Sequence, residues 1–235
     1  MHPVLLLIGA SGGLGASTLA AVLAQQLDGT LVDGLLDGSG ADTTLVLEDE
    51  PGLRWPDLAG LDGDVDPARL VRHLPGTRPP VLSAAGPGRV GPDAVRCALA
   101  ALRQAAPVVV DLPAAVHRAE PWLAVADVAV VLCGLRPRQV RDAAAVVGSL
   151  REHGLDAHLV TRGSRRAEPA GQEVAGHLQA PWLDHLEDHP GVPRDEGAGC
   201  PPRARGPLGR VAREIGEVVP GADGSGELRW LRRAG

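Results

Sequence analysis

The 235-residue chain contains no lysine, no phenylalanine, no tyrosine and no asparagine, and its only methionine is Met1. All 23 basic residues counted as Lys or Arg are therefore arginine. These absences remove whole chemistries: no Schiff-base lysine, no tyrosine acid, and no lysine to meet a phosphate in a glycine loop. Codon bias towards Ala, Gly, Pro and Arg accounts for part of the pattern, so each absence gains meaning only at a position where chemistry needs the missing residue. Four Trp are the only aromatics, so the core must be built from Leu, Val and Ala, which favours layers of helix on sheet over an aromatic-rich sandwich. No apolar run approaches the roughly 20 residues of a membrane span, and Val4 to Ile8 lacks the basic flank and length of a signal peptide. Cys97, Cys133 and Cys200 are odd in number and widely spaced, which suits free thiols in a cytosolic protein and offers no metal framework.

At 24.2 kDa and 44% hydrophobic, the chain can bury one sizeable core. Its net charge of −6 is unevenly spread: Asp28 to Asp66 carries eleven acids against Arg54 alone, and the remainder is net positive. An acidic N-terminal quarter disfavours nucleic acid there, while the rest leaves a basic patch to consider.

Val4-Leu5-Leu6-Leu7-Ile8 is a continuous apolar run of strand length that ends in Gly9, and Ser17 to Leu27 carries apolar residues at helical spacing. The pattern predicts strand, glycine loop, helix. Short apolar runs ending in small or polar residues recur at Leu31-Val32, Val81-Leu82, Val108 to Val110, Val128 to Cys133 and Leu159-Val160, with helix candidates at Pro92 to Ala105, Pro137 to His153, Gly171 to Leu178 and Gly206 to Val218. Runs apolar throughout read as strands buried on both faces, so the expected fold is α/β: three layers, with a mainly parallel twisted sheet of about seven or eight strands between helices. In such sheets ligands bind beyond the carboxyl ends of the strands, and Ser11, Asp33, Ser83 and Asp111 end four of these runs. The globular part is expected over residues 1–220, followed by a short basic tail at 221–235.

Gly9-Ala10-Ser11-Gly12-Gly13-Leu14-Gly15-Ala16-Ser17-Thr18 is the most informative segment. As Gly9-x-x-x-Gly13-x-Gly15 it fits the dinucleotide loop of short-chain dehydrogenases, but that reaction needs a Tyr acid and a Lys four residues on, and the chain has neither. As Gly12-Gly13-Leu14-Gly15-Ala16-Ser17-Thr18 it resembles the deviant Walker A motif of the MinD and ParA-type ATPases, in which successive backbone N–H groups cradle phosphate. Leu31-Val32-Asp33-Gly34-Leu35-Leu36-Asp37, then Glu48-Asp49-Glu50-Pro51-Gly52-Leu53-Arg54-Trp55-Pro56-Asp57-Leu58, then Val108-Val109-Val110-Asp111-Leu112-Pro113 with its Walker B character, then Leu159-Val160-Thr161-Arg162-Gly163, follow the order of MinD-like proteins along nearly the whole chain. The detailed pattern is most similar to the actinobacterial CpaE-like or septum-site-determining (Ssd) branch, which is TadZ-like, and the Glu48 to Leu58 stretch is its most specific mark.

That resemblance implies a P-loop NTPase-like fold and a nucleotide site at Gly12, Gly13, Gly15, Ala16, Ser17, Thr18, Asp33 and Asp111. ATP or ADP would bind with Mg2+ near Ser17, Asp33 and Asp111. It also implies a homodimer that works with Tad-pilus or type II-like secretion proteins or with division proteins, located in the cytoplasm or brought to a pole or membrane through those partners. Three departures bear on activity. The signature Lys position is Ser11, the Walker Lys position is Ala16, and the water-orienting Asp is replaced by Leu35, with Asp37 displaced by two residues. Phosphoryl transfer depends on neutralising charge on the phosphate oxygens, so the missing cations imply little or no hydrolysis and weak nucleotide binding or none. If an arginine replaces the lysines in trans, Arg136, Arg138 and Arg89 are the candidates; the sequence does not decide whether one does.

The remaining constellations carry less. His185-x-x-x-His189 with Glu187 and Asp188 has the spacing of a helical metal pair, but Pro190 follows and no third ligand is evident, so a solvated acidic turn is expected. Arg136, Arg138, Arg141, Arg162, Arg165 and Arg166 resemble the DNA-holding surface of ParA-type partition proteins, yet six arginines beside acids read first as a solvated rim. Ser83, Asp111 and His117 lack the Gly-x-Ser-x-Gly elbow of a hydrolytic triad.

Overall fold

The computed structural model describes residues 1–36, 40–84, 90–114 and 120–219. Asp37, Arg89, His117 and the tail from 221 lie outside them. The elements run β1 (Val4–Gly9), α1 (Ala16–Gln26), β2 (Thr30–Asp33), α2 (Ala41–Leu45), α3 (Pro67–Arg72), β3 (Val81–Leu82), α4 (Pro92–Ala105), β4 (Val108–Pro113), α5 (Glu120–Leu123), β5 (Val128–Gly134), α6 (Pro137–Glu152), β6 (Ala157–Gly163), α7 (Glu168–Leu178), β7 (Trp182–Glu187), α8 (Gly191–Gly197) and α9 (Gly206–Val218). The seven strands form one sheet in the order β3-β2-β4-β1-β5-β6-β7, and every pairing is parallel.

Strand alternation divides the core between the two faces. Val4, Leu6 and Ile8 of β1 join Val95, Leu99, Leu102, Val147 and Leu150 of α4 and α6. Leu5 and Leu7 point the other way, to Leu19 and Leu23 of α1 and Val211 and Ile215 of α9. Both faces are helix-covered, which is why β1, β2 and β5 consist almost wholly of buried residues. Two of the scarce aromatics meet in the first layer, Trp55 and Trp122 packing edge to face with centroids 6.1 Å apart.

Several boundaries and elements differ from the sequence expectation. α7 begins at Glu168, three residues before Gly171, behind a short 3-10 turn at Arg165–Ala167. The acidic quarter, which showed no helical period, holds α2, a 3-10 turn at Trp55–Leu58, and α3, whose Asp66 accepts a hydrogen bond from the Arg69 N–H. The segment with His185 is neither a helical metal pair nor a solvated turn. It is the seventh strand, and His185 is fully buried in it. Among the described residues no cluster of three or more His, Cys, Asp or Glu could hold a metal ion, and no helix is long and apolar enough to cross a membrane.

Candidate functional site

The carboxyl ends of β2, β4, β1, β5, β6 and β7 open on the same side of the sheet, and the glycine loop rises from the central one. Gly13 and Gly15 hold φ of 74° and 79°, the left-handed region that a side chain disfavours. At Gly9, a Cβ would lie 3.0 Å from the Cβ of Ala16, so the loop turns back on its own helix there. Gly15 caps α1 without any side-chain acceptor. The first-turn N–H groups of α1 are thereby presented at the loop, with the positive end of the helix dipole behind them.

Two aspartates stand beside this loop because β2 and β4 pair in register, Asp33 opposite Asp111. The Ser17 hydroxyl donates to the Asp111 carboxylate, which opposes the rise that burial imposes on its pKa. Asp33 is pushed up to about 7, first by burial and further by the negative charge of Asp111, against the pull of backbone N–H donors from Leu35, Ala41 and Ala84. The Leu35 N–H reaches Asp33 Oδ1 and the Ala41 N–H reaches Oδ2, each at 2.9 Å. Asp33 is thus largely committed to closing the loop between β2 and α2, whereas Ser17 and Asp111 face the glycine loop as a pair.

The Glu48 to Leu58 stretch supports the site without entering it. Trp55 Nε1 donates to the Asp33 carbonyl at 2.8 Å, and the Trp55 N–H donates to the Ser83 carbonyl at 3.0 Å. Arg54 is buried with Asp42 as its ion partner at 3.1 Å. The same guanidinium donates to the carbonyls of Leu47, Glu50 and Gly52. It therefore ties off the end of α2, where Val46 sits at φ 59°, an uncommon conformation for a β-branched residue.

The positions at which the resemblance to MinD and ParA-type loops expects lysines are occupied differently. Ser11 does not face outward; its hydroxyl donates to Asp142 of α6 at 2.8 Å. Ala16 brings only a methyl group, turned towards Gly9. Leu35 is partly exposed and contributes its backbone N–H to Asp33. Arg136 and Arg138 lie exposed where α6 begins, with Arg141 one turn on. Ser83 is buried beneath the β3 end, and its hydroxyl has no hydrogen-bond partner among the described residues.

Among the described residues Arg162 is the cation that reaches the loop, although its place in the sequence groups it with the rim arginines. It leaves the end of β6, passes across β5, and donates through Nη1 to the Leu14 carbonyl, directly over Gly15. Its Nε donates to Asp188 Oδ1 at 3.1 Å. The sequence carries a signal for this: Arg162 comes directly after the apolar run Leu159-Val160 and Thr161, near the carboxyl end of β6, on the side of the sheet where Asp33 and Asp111 also lie. The strand beneath it is held firmly. Thr161 and His185 share a hydrogen bond of 3.0 Å, the other His185 nitrogen lies 3.1 Å from the Ser164 carbonyl, and Trp182 Nε1 donates to Thr161 at 3.2 Å.

Arg162, Gly15 and Thr18 form one wall of a cavity of about 540 Å3. Thr43 and Val46 contribute from the α2 side and Glu187, Cys200 and Arg205 from the far side. Its size lies within the range of small-molecule sites, and it opens directly onto the uncapped start of α1.

Among solved structures, a ParA family ATPase from Chlorobium tepidum TLS superposes with a TM-score of 0.76 at 15% identity, covering 92% of this chain and 98% of that one. The cell division ATPase MinD of Pyrococcus furiosus gives 0.74 at 18% identity, covering 93% and 100%. The chain has the fold of the ParA and MinD ATPases. A plasmid partition protein of Borrelia burgdorferi B31 bound to AMPPNP shares that fold, with a TM-score of 0.66 at 12% identity over 92% of this chain and 97% of its own. In sequence, two curated relatives from Mycobacterium tuberculosis are each 33% identical over 235 aligned positions: the uncharacterized proteins Rv3660c of strain ATCC 25618 / H37Rv and MT3760 of strain CDC 1551 / Oshkosh. The alignment covers 95% of this chain but spans 65% of the length of those relatives. No family model matches the chain.

Proposed function

We propose that this chain is a MinD- or CpaE-like spatial regulator that binds a nucleotide at its glycine loop weakly and turns it over negligibly, acting as a scaffold that places other proteins. The observation that carries the reading is the combination of a formed phosphate-loop geometry with the loss of its lysines: Gly13 and Gly15 in the left-handed region, an uncapped α1, Ser17 bonded to Asp111, and yet Ala16 and Ser11 where the cations belong. The loop retains what binding needs, namely backbone donors, and lacks what stabilises the charge of a transferring phosphoryl group.

The residues present fit Mg2+ held together with a nucleotide. Ser17 and Asp111 would supply a hydroxyl and a carboxylate side by side, and Asp33 adds negative charge behind them. The cation would neutralise phosphate oxygens and relieve the two carboxyl groups that burial pushes up. The cavity bounded by Gly15, Thr18 and Arg162 would take the rest of the nucleotide. The partners that suit this reading are a second copy of the chain and components of a Tad-pilus, secretion or division apparatus.

Titration with ADP or ATP in the presence of Mg2+ tests the reading. The expected outcome is weak affinity in the wild type, tighter binding in Ala16→Lys, and phosphate release at the level of a protein-free control. Steady phosphate release abolished by Asp111→Ala would establish a slow ATPase and overturn the scaffold; no gain from Ala16→Lys would count against a preformed phosphate cradle.

A further inference from the structure

We propose that Arg162 is the phosphate-binding cation of this site, supplied within the chain from β6 and held in place over the loop by Leu14 and Asp188. The inference rests on the nucleotide-binding reading above and assigns to it the charge that the loop itself lacks.

Three observations carry it. Position comes first: of the arginines lining the cavity, Arg162 is the one bonded to the loop, through Nη1 to the Leu14 carbonyl, and its guanidinium lies over Gly15, the cap of α1. A phosphate drawn to the N–H groups of α1 would meet that guanidinium, whose fork of donors suits phosphate oxygens. The second is how lightly it is held. Its ion partner Asp188 has a side chain 60% exposed, so the pair is screened by solvent and is exchanged at little cost for a ligand of higher charge. Nη2 has no protein partner among the described residues, leaving a donor for such a ligand. The third is how firmly its base is held. Beneath Arg162, Thr161 is bonded to His185 and Trp182, and the Asp188 N–H donates to the Gly163 carbonyl at 2.8 Å. A long side chain on a fixed strand end can swing from the Leu14 carbonyl to a phosphate without moving the backbone.

Asp188 then acts as a positioning residue that competes with the ligand. Removing it should free the guanidinium, and removing Arg162 should cost affinity in proportion to the phosphate carried by the ligand. A structural role in the cavity wall would weaken nucleoside and nucleotide alike.

Calorimetric titration of the purified protein with Mg-ADP and with adenosine separates these outcomes. Arg162→Ala should weaken Mg-ADP about tenfold or more while leaving adenosine within about twofold, Arg162→Lys should recover part of the loss, and Asp188→Ala should tighten Mg-ADP by about twofold to fivefold. Melting curves of the ligand-free variants establish that each is folded; if Arg162→Ala fails to fold, Arg162→Lys and Asp188→Ala carry the comparison. Wild type that binds Mg-ADP while Arg162→Ala binds it equally well or more tightly overturns the assignment and leaves the nucleotide reading standing. Equal losses for adenosine and Mg-ADP overturn it as well. Wild type that binds no Mg-ADP at all overturns both.

Discussion

Replacing Arg54 with Met tests whether the most distinctive stretch of the sequence is a strut rather than a ligand site. Arg54 and Asp42 are both nearly inaccessible, and the guanidinium serves the Asp42 carboxylate together with three backbone carbonyls at 3.1 to 3.4 Å. Met keeps most of the volume and removes the charge, leaving Asp42 buried with the Thr43 N–H as its remaining donor. Orphaning one member of a buried pair costs about 3–5 kcal/mol, which for a chain of this length corresponds to a drop in Tm of roughly 6–20 °C. Asp42→Asn alone leaves the guanidinium its carbonyl partners and should cost less, about 2–3 kcal/mol. The double variant removes both charges, so its cost should fall short of the sum of the single costs by about 2 kcal/mol. Urea unfolding followed by tryptophan fluorescence is suited to the measurement because Trp55 and Trp122 lose a buried edge-to-face contact, and an unchanged m-value would show that the same cooperative unit unfolds. A cost below about 1 kcal/mol for Arg54→Met, or additivity of the two changes within about 0.5 kcal/mol, would refute the strut.

Other perturbations read other parts of the site. In the metal-free protein, Asp33 is protonated below about pH 4 in both the folded and unfolded states. Between there and its folded value of about 7 the folded state keeps a proton that the unfolded state has lost, so stability falls with rising pH and then levels off. The difference in unfolding free energy between wild type and Asp33→Asn should therefore move against the wild type by up to about 4 kcal/mol between pH 4 and pH 8, and a flat difference would contradict it. Gly15→Ala places a side chain at φ 79° against the Arg162 guanidinium; it should lower the melting temperature and weaken Mg-ADP together, by about 1–2 kcal/mol in stability. Val46→Gly relieves an exposed left-handed valine and should stabilise the fold by about 0.5–1 kcal/mol in the same urea assay. The Cys133 thiol is pushed up to about 11 by burial and by the charge of Asp142, so a thiol reagent at neutral pH should label Cys97 and Cys200 and reach Cys133 only on unfolding.

What was legible in the sequence follows from where each residue finds its partners. β1, β4 and β5 are apolar on both faces because helices cover both sides of the sheet, and that leaves a direct mark in the sequence. The loop glycines and Ser17 are legible because adjacent residues create their geometry, and Asp33 and Asp111 because each follows a buried apolar run, although it is the β2–β4 register that brings the two together. β7 was not: no apolar run marks Trp182 to Glu187, and the stretch from His185 reads as an acidic turn, yet it forms a strand in which Asp184 meets Arg210 of α9 while His185 meets Thr161 of β6. The helices of the acidic quarter were hidden for the same reason, α2 being secured by Arg54 from beyond its own end. Arg162 was hidden in a third way. Its neighbours in sequence are arginines of an exposed 3-10 turn, while its contact is Leu14, at the other end of the chain.

The packing of α9 on α1 has a consequence for how the chain comes into being. The helix behind the glycine loop buries Leu19 and Leu23 against Val211 and Ile215, and Gln26 donates to the Gly209 carbonyl at 3.0 Å. These two helices are separated by about 180 residues, from Gln26 to Gly206. At roughly 5–20 residues per second on the ribosome, the apolar side of α1 waits about 10–40 s for its cover. The glycine loop is synthesised well before α9, but the helix behind it is backed only when that helix has emerged. Chains halted before α9 would present that uncovered face to chaperones and proteases, and the glycine loop would stand on a helix without its support until α9 packs.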